Sequence, residues 1–130
     1  DEDTIKYISK QHPITFLDTK KQIGSWVEDI TFIKINDVEY RYSEKFIDNN
    51  YKDSLIITRG SNGAEYKGNT YPVKKVDVKD TSGAGDSFLA GLVGNYLETY
   101  NIVKSIKFAN KCATQVVQKK GTAKINKNEI

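Results

Sequence analysis

D-T-S-G-A-G-D, residues 80–86, stands between the strand-like V-D-V of residues 76–78 and a run in which Phe88, Leu89, Leu92, Val93, Tyr96 and Leu97 recur at helical spacing. A helix therefore begins inside a glycine-rich turn. Its first N–H groups have no carbonyl partners, and the positive end of its dipole faces whatever the turn approaches. Gly83 and Gly85 carry no Cβ, so backbone amides can come close to an anion. Asp86 stands at the same mouth. A carboxylate beside an anion-binding turn suits one task well: taking a proton from a hydroxyl while a phosphoryl group is held in the turn. Locally, a capped helix after a tight turn explains the same residues. Two other phosphate-binding readings fail on spacing. No G-x-x-x-x-G-K-[ST] run exists. A dinucleotide fingerprint needs a small residue three places after Gly85, where Phe88 stands.

Carried on to Gly91, the run D-T-S-G-A-G-D-S-F-L-A-G resembles the C-terminal signature of the PfkB, or ribokinase-like, carbohydrate kinase family. Three further segments agree in order and spacing. Asn36-Asp37-Val38-Glu39 is similar to the family's N-x-x-E motif. Thr58-Arg59-Gly60-Ser61-Asn62-Gly63 resembles its T-x-G-x-x-G phosphate-contact segment. Phe108-Ala109-Asn110 through to Gly121 resembles its adenine-flanking region. The likeness runs from about Ile14 to Gly121.

The resemblance implies a layered, parallel-sheet α/β fold and an ATP-dependent transfer of a phosphoryl group to a hydroxyl of a sugar or sugar phosphate. It implies Asp86 as the base. The Gly83-Ala84-Gly85 turn would neutralise the moving phosphoryl through the amides of Ala84, Gly85 and Asp86. Asn36 and Glu39 would help place Mg²⁺ and phosphates through water, which fits an ion that keeps several waters. An N-cap with a capping-box glutamate explains that pair equally well in local terms. Thr58, Gly60 and Gly63 would touch the nucleotide phosphates, and Asn110 would face the nucleoside. Lys111 and Lys119 interrupt the otherwise small, apolar lining expected there. In members that use a potassium-like ion, Asp80 and Gly121 would help hold it. A C-cap glycine accounts for Gly121 without one. The surroundings of T-R-G and N-x-x-E resemble the heptose-phosphate kinase branch slightly more than the ribokinase branch.

Composition narrows the partners. The 130 residues hold 20 basic and 17 acidic side chains, a net charge of +3. That balance is too mild to argue for nucleic acid. No apolar run approaches a membrane span, and no signal peptide is visible. The one cysteine, Cys112, excludes an intrachain disulfide and suits a cytoplasmic setting. It shares an apolar helical face with Phe108 and Ala109, so core packing explains it.

Length indicates one domain, residues 1–130. Family members are usually more than twice as long, and their N-terminal half carries the sugar-binding residues. The chain is therefore expected to be the C-terminal, nucleotide-binding half of an incomplete kinase. Alone, it is expected to be inactive and to self-associate through an exposed sheet edge. The competing reading is a non-catalytic PfkB-like module that binds nucleotide or a partner protein. An intact Asp86 argues against it.

Along the chain, helices are expected at residues 1–11, 36–47, 83–100 and 101–119, with a helical turn at 22–27. Strands are expected at 14–17, 31–35, 53–58 and 76–80, and a hairpin around Gly68-Asn69 joins 64–67 to 71–73. Alternating strands and helices imply a parallel layered sheet whose ligand lies beyond the strands' carboxyl ends. Asp18, Asn36, Thr58 and Asp80 each close one of the expected strands. Lys20 and Lys21 follow Asp18 near that edge, where a phosphate contact and a solvated surface are equally consistent.

Overall fold

The computed structural model describes residues 1–118. It divides into two compact units: Asp1–Arg59 with Glu65–Thr70, and Gly60–Ala64 with the chain from Tyr71 onward.

The first unit opens with α1, Glu2–Gln11, capped by the Asp1 carboxylate accepting from the Thr4 amide at 2.8 Å. The next elements are β1 (Phe16–Asp18), β2 (Phe32–Asn36), α2 (Asp37–Ser43) and β3 (Leu55–Thr58). Single 3₁₀ turns at Ser25–Val27 and Lys52–Ser54 lead toward β2 and β3. β1 and β2 are parallel with Asp18 opposite Lys34, and β2 and β3 are parallel with Asn36 opposite Thr58. Strands β4 (Ala64–Tyr66) and β5 (Asn69–Tyr71) complete a five-stranded sheet ordered β1-β2-β3-β4-β5.

Alternation along β2 splits its side chains between two faces. Ile33 and Ile35 enter a core with Ile23, Trp26, Val27, Ile30, Tyr51, Leu55 and Ile57. Ile5 of α1 packs on that core, whereas Ile8 is exposed. The opposite face carries Phe32, Lys34 and Asn36. Phe32 stacks obliquely on Phe16 at 5.3 Å and on Tyr66 at 6.4 Å between ring centroids.

The hairpin turn differs from the sequence expectation. It lies at Lys67-Gly68, with φ of 50° and 78°, and β5 starts at Asn69. Two consecutive left-handed residues make a two-residue turn that matches the strands' twist.

The second unit is built on two long helices, α3 (Ala84–Thr99) and α4 (Ile102–Val117). They meet where Gly91 lets the α4 side chain of Cys112 come close. A Cβ on Gly91 would lie 2.8 Å from the Cys112 Sγ. Phe88 and Leu92 of α3 and Ile106, Ala109, Cys112 and Val116 of α4 are buried. Cys112 is therefore a packing residue, and burial pushes its thiol up from the ordinary value.

The strand expected at residues 76–80 does not form. These residues are irregular, and Val78 is 54% exposed. The segment is fastened to α4 instead: the Lys79 and Asp80 amides donate to the Val117 carbonyl at 2.7 and 3.3 Å. Val76 and Val78 would share one face of a strand, but Val78 is exposed and, among the described residues, no strand of the sheet pairs with this segment.

Candidate active site

The sequence-derived site residues fall into two groups, one in each unit, the Gly60–Gly63 turn belonging to the second.

In the first unit, the carboxyl ends of β1, β2 and β3 present Asp18, Asn36 and Thr58, as the strand-end argument requires. Asn36 and Thr58 are register partners, so their side chains share a face. The Thr58 hydroxyl donates to the Ile35 carbonyl at 3.4 Å. Asn36 also caps α2. Its Oδ1 accepts from the Glu39 amide and the Glu39 Oε1 accepts from the Asn36 amide, both at 2.8 Å. The motif is thus a closed capping box, and the local alternative for this pair is realised. One charged group on this face escaped the sequence reading. Lys34 is buried, and its Nζ lies 3.5 Å from the Asp18 Oδ2. Its spacing of two from Asn36 in a strand was the available signal. Lys21 pairs with Glu2 at 2.9 Å and sits over the Trp26 ring, while Lys20 is exposed. Arg59, given no role from sequence, pairs with Glu65 at 3.1 Å.

The phosphate-contact segment turns sharply. Gly60 and Gly63 have φ of 55° and 87°, and the Gly63 amide closes on the Gly60 carbonyl at 3.0 Å. A Cβ at Gly63 would fall 2.1 Å from the Tyr71 carbonyl oxygen. Backbone packing alone therefore demands glycine at 63.

In the second unit, Gly83 is the N-cap of α3 with φ 80°, a left-handed value that suits glycine. As a glycine, the N-cap residue offers no side-chain oxygen to this helix. Asp80 Oδ1 accepts from the Ser82 amide at 2.8 Å, which shapes the turn. The Ala84 amide donates to the Thr81 carbonyl at 3.2 Å, so it is committed to the turn. Gly85 and Asp86 occupy the second and third helical positions, whose amides have no carbonyl within the helix. Asp86 is exposed in the first turn. It borders a cavity of about 640 Å³ along α3 whose wall includes Gly83, Ser87, Gly94 and Cys112.

Asn110 is buried on α4, and its Nδ2 donates to the Tyr71 carbonyl at 2.9 Å. It pins the segment after β5 to the helix. The same residue borders a second cavity of about 660 Å³. Gly121 lies outside the described residues, so the monovalent-cation reading has only Asp80 in view. Among the described residues no group of three or more His, Cys, Asp or Glu side chains could hold a metal ion. A magnesium ion held by nucleotide phosphates and waters requires no such group, and Glu39 beside a strand end fits that role. Also among the described residues, no helix is long and apolar enough to cross a membrane.

These features define an α/β protein of ribokinase-like fold with an uncapped, glycine-opened helix start beside an aspartate. Residues 15–129 match the pfkB family carbohydrate kinase model, and the chain belongs to that family. It is 30% identical over 125 residues to Probable fructokinase-2 of Arabidopsis thaliana, covering 80% of this chain and 38% of the relative. It is 36% identical over 87 residues to the ribokinase of Schizosaccharomyces pombe, covering 63% of this chain and 27% of that protein. The solved ribokinase of Thermotoga maritima superposes with a TM-score of 0.76 at 21% identity, over 92% of this chain and 48% of that one. The Arabidopsis thaliana ribokinase complexed with ribose and ATP gives a TM-score of 0.73 at 19% identity, over 94% and 48%. The chain thus spans about half the length of these structures and less than two-fifths of those two relatives.

Proposed function

We propose that the chain is the nucleotide-binding and catalytic part of an ATP-dependent kinase that phosphorylates a hydroxyl of a sugar or sugar phosphate. The observation that carries this is the start of α3. Gly83 at φ 80° opens the turn without a capping side chain of its own, and Asp86 stands three residues on. The Gly85 and Asp86 amides and the helix dipole favour a phosphoryl group there. Asp86 accepts the proton of the attacking hydroxyl as the new P–O bond forms and the bond to ADP breaks. Mg²⁺, which Glu39 would help hold through water, would offset the charge of the nucleotide phosphates. The protein's own share is position and electrostatics, as expected for phosphoryl transfer. Glu39, Thr58, Gly60 and Gly63 serve the phosphate end, Asn36 positions Glu39 through the capping box, and Asn110 stands on the nucleoside side. The family's sugar kinases and the ATP-bound ribokinase support this reading.

The acceptor clamp is assigned to sequence beyond these 130 residues, so the chain alone is expected to bind nucleotide without turning over a sugar. Positioning the acceptor in line is worth about 7–11 kcal/mol. The test is a coupled ADP-release screen of the chain and of the longest natural protein that contains it, against a panel of sugars and sugar phosphates. The reading predicts turnover of at least one acceptor by the longer protein alone. Nucleotide binding with no turnover of any acceptor would favour the non-catalytic module.

A further inference from the structure

We propose that Arg59 is a positioning residue for the phosphate end of the site: anchored on the far face of the sheet, it keeps the Thr58 hydroxyl turned toward the nucleotide. The inference rests on the nucleotide-binding reading above.

Thr58 is the last residue of β3, and Gly60, two places on, has φ 55°. A strand end that runs into a glycine has little of its own to stop it twisting. Alternation puts Ile57 and Arg59 on one face and Thr58 on the other. Ile57 enters the core against which Tyr40 of α2 packs. Thr58 shares the opposite face with its register partner Asn36.

On the α2 side, two elements grip Arg59. Its guanidinium carbon lies 5.4 Å from the centre of the Tyr40 ring, within reach of a cation–π contact. Its Nε and one terminal nitrogen both reach Oε2 of Glu65 on β4, each at 3.1 Å. Tyr66, the next residue of β4, stacks on Phe32 across the opposite face, so Glu65 points to the same side as Arg59. Tyr40, Thr58, Arg59 and Glu65 all belong to the first unit. The charge of Arg59 is spent on Glu65, so its part is to hold the strand end and not to meet the phosphates.

Thr58 itself is held loosely. Its hydroxyl donates to the Ile35 carbonyl at 3.4 Å. A bond of that length is weak, so the hydroxyl can be given up to a phosphate oxygen. The direction of the side chain then depends on the residue beside it. A stacked, forked guanidinium fixes that direction in a way a lysine cannot.

Calorimetric titration of the 130-residue chain with Mg·ATP tests this. Arg59→Leu is expected to weaken binding about tenfold, the worth of one misplaced hydrogen bond to a charged group. Arg59→Lys keeps the charge without the flat fork and should weaken it about threefold. The melting temperature without ligand should fall by less than about 5 °C in either variant, since the ion pair is partly exposed. Thr58→Val, which removes the hydroxyl and keeps the shape, should also cost about tenfold. In that background Arg59→Leu should cost less than about twofold, because the group it positions is gone. A residue that only stabilised the fold would cost the same in both backgrounds, and that result would overturn the proposal. Arg59→Leu or Thr58→Val binding as tightly as the parent would overturn it too, and would leave the kinase reading standing. If Arg59→Leu does not fold, Arg59→Lys takes its place in the same cycle, with the same outcomes. No binding of Mg·ATP by the parent would overturn both readings.

Discussion

Helices α2 and α3 both begin at residues expected to serve a phosphate, yet their N-termini are built in opposite ways. At α2, the side chains of Asn36 and Glu39 each satisfy the other's backbone amide. The start of that helix is closed by its own sequence. At α3, the N-cap is a left-handed glycine that offers no oxygen, and the Gly85 and Asp86 amides have no helical partner. Free amides at a helix end are costly unless water or a ligand meets them. A chain that caps one helix with a reciprocal pair and leaves the other open has divided its labour. In the proposed reading, the α2 start contributes stability and a carboxylate for solvent or ion, and the α3 start contributes the anion site.

Four substitutions sharpen or break that contrast. Asp86→Asn, measured in the longest catalytically active form, should lower turnover by ~10² to 10⁴ and leave ATP affinity within about threefold. Unchanged turnover would remove Asp86 from the mechanism and reduce the open helix start to a binding feature. Gly91→Ala acts on α3 without touching its N-terminus. The added Cβ meets Cys112 Sγ at 2.8 Å and the Ala109 Cα at 3.3 Å. Overpacking should cost about 1–3 kcal/mol in urea unfolding. A neutral result would mean that α3 and α4 are not held as closely as described.

Asn36→Ala should cost about 1 kcal/mol of stability, the usual loss of a cap, and change nucleotide affinity little. A large loss of affinity with no loss of stability would reverse the roles assigned to the two helix starts. The smallest effect concerns Tyr51, which is buried and donates to the Phe46 carbonyl. Burial, with the nearby Asp48 charge, raises its hydroxyl above the ordinary value of 10.0. The folded state therefore holds this proton more tightly than the unfolded chain. That stability is fully present below about pH 10 and is lost as pH rises through the folded value. Melting temperature should fall above about pH 10 in the parent and less steeply in Tyr51→Phe, which cannot ionise. Parallel curves for the two proteins would contradict the assignment.

Much of this was legible before any coordinates. The apolar spacing from Phe88 to Leu97 marked α3, and the stripe from Ile102 to Val116 marked α4, because long periodic segments bury one face. Gly83-Ala84-Gly85-Asp86 announced the turn that opens α3, because only glycine takes a left-handed cap at no steric cost. The V-D-V segment misled, since an alternating apolar pair without a pairing partner does not make a strand. The hairpin turn moved by one residue because Lys67 adopts a left-handed conformation that sequence assigns to Gly68-Asn69. Lys34 was invisible as a buried charge, since its burial depends on the sheet around it and on Asp18, sixteen residues away. Asn110 read as a nucleoside contact, and the bond from its Nδ2 to the Tyr71 carbonyl was not visible beside that reading. Such long-range bonds leave no trace in local spacing. Thr58 was found because strand ends gather polar residues whatever the strands' exact bounds.

The contrast between the two helix starts is tested most directly by ligand-induced stabilisation of two variants side by side. Thermal unfolding of the parent, Gly85→Val and Asn36→Ala is followed with and without saturating Mg·ATP. The account predicts that the parent and Asn36→Ala gain melting temperature by similar increments. Gly85→Val should be folded without ligand and gain nothing, because a side chain at 85 blocks the approach of the anion to the backbone. Equal stabilisation of Gly85→Val and the parent by Mg·ATP would contradict it.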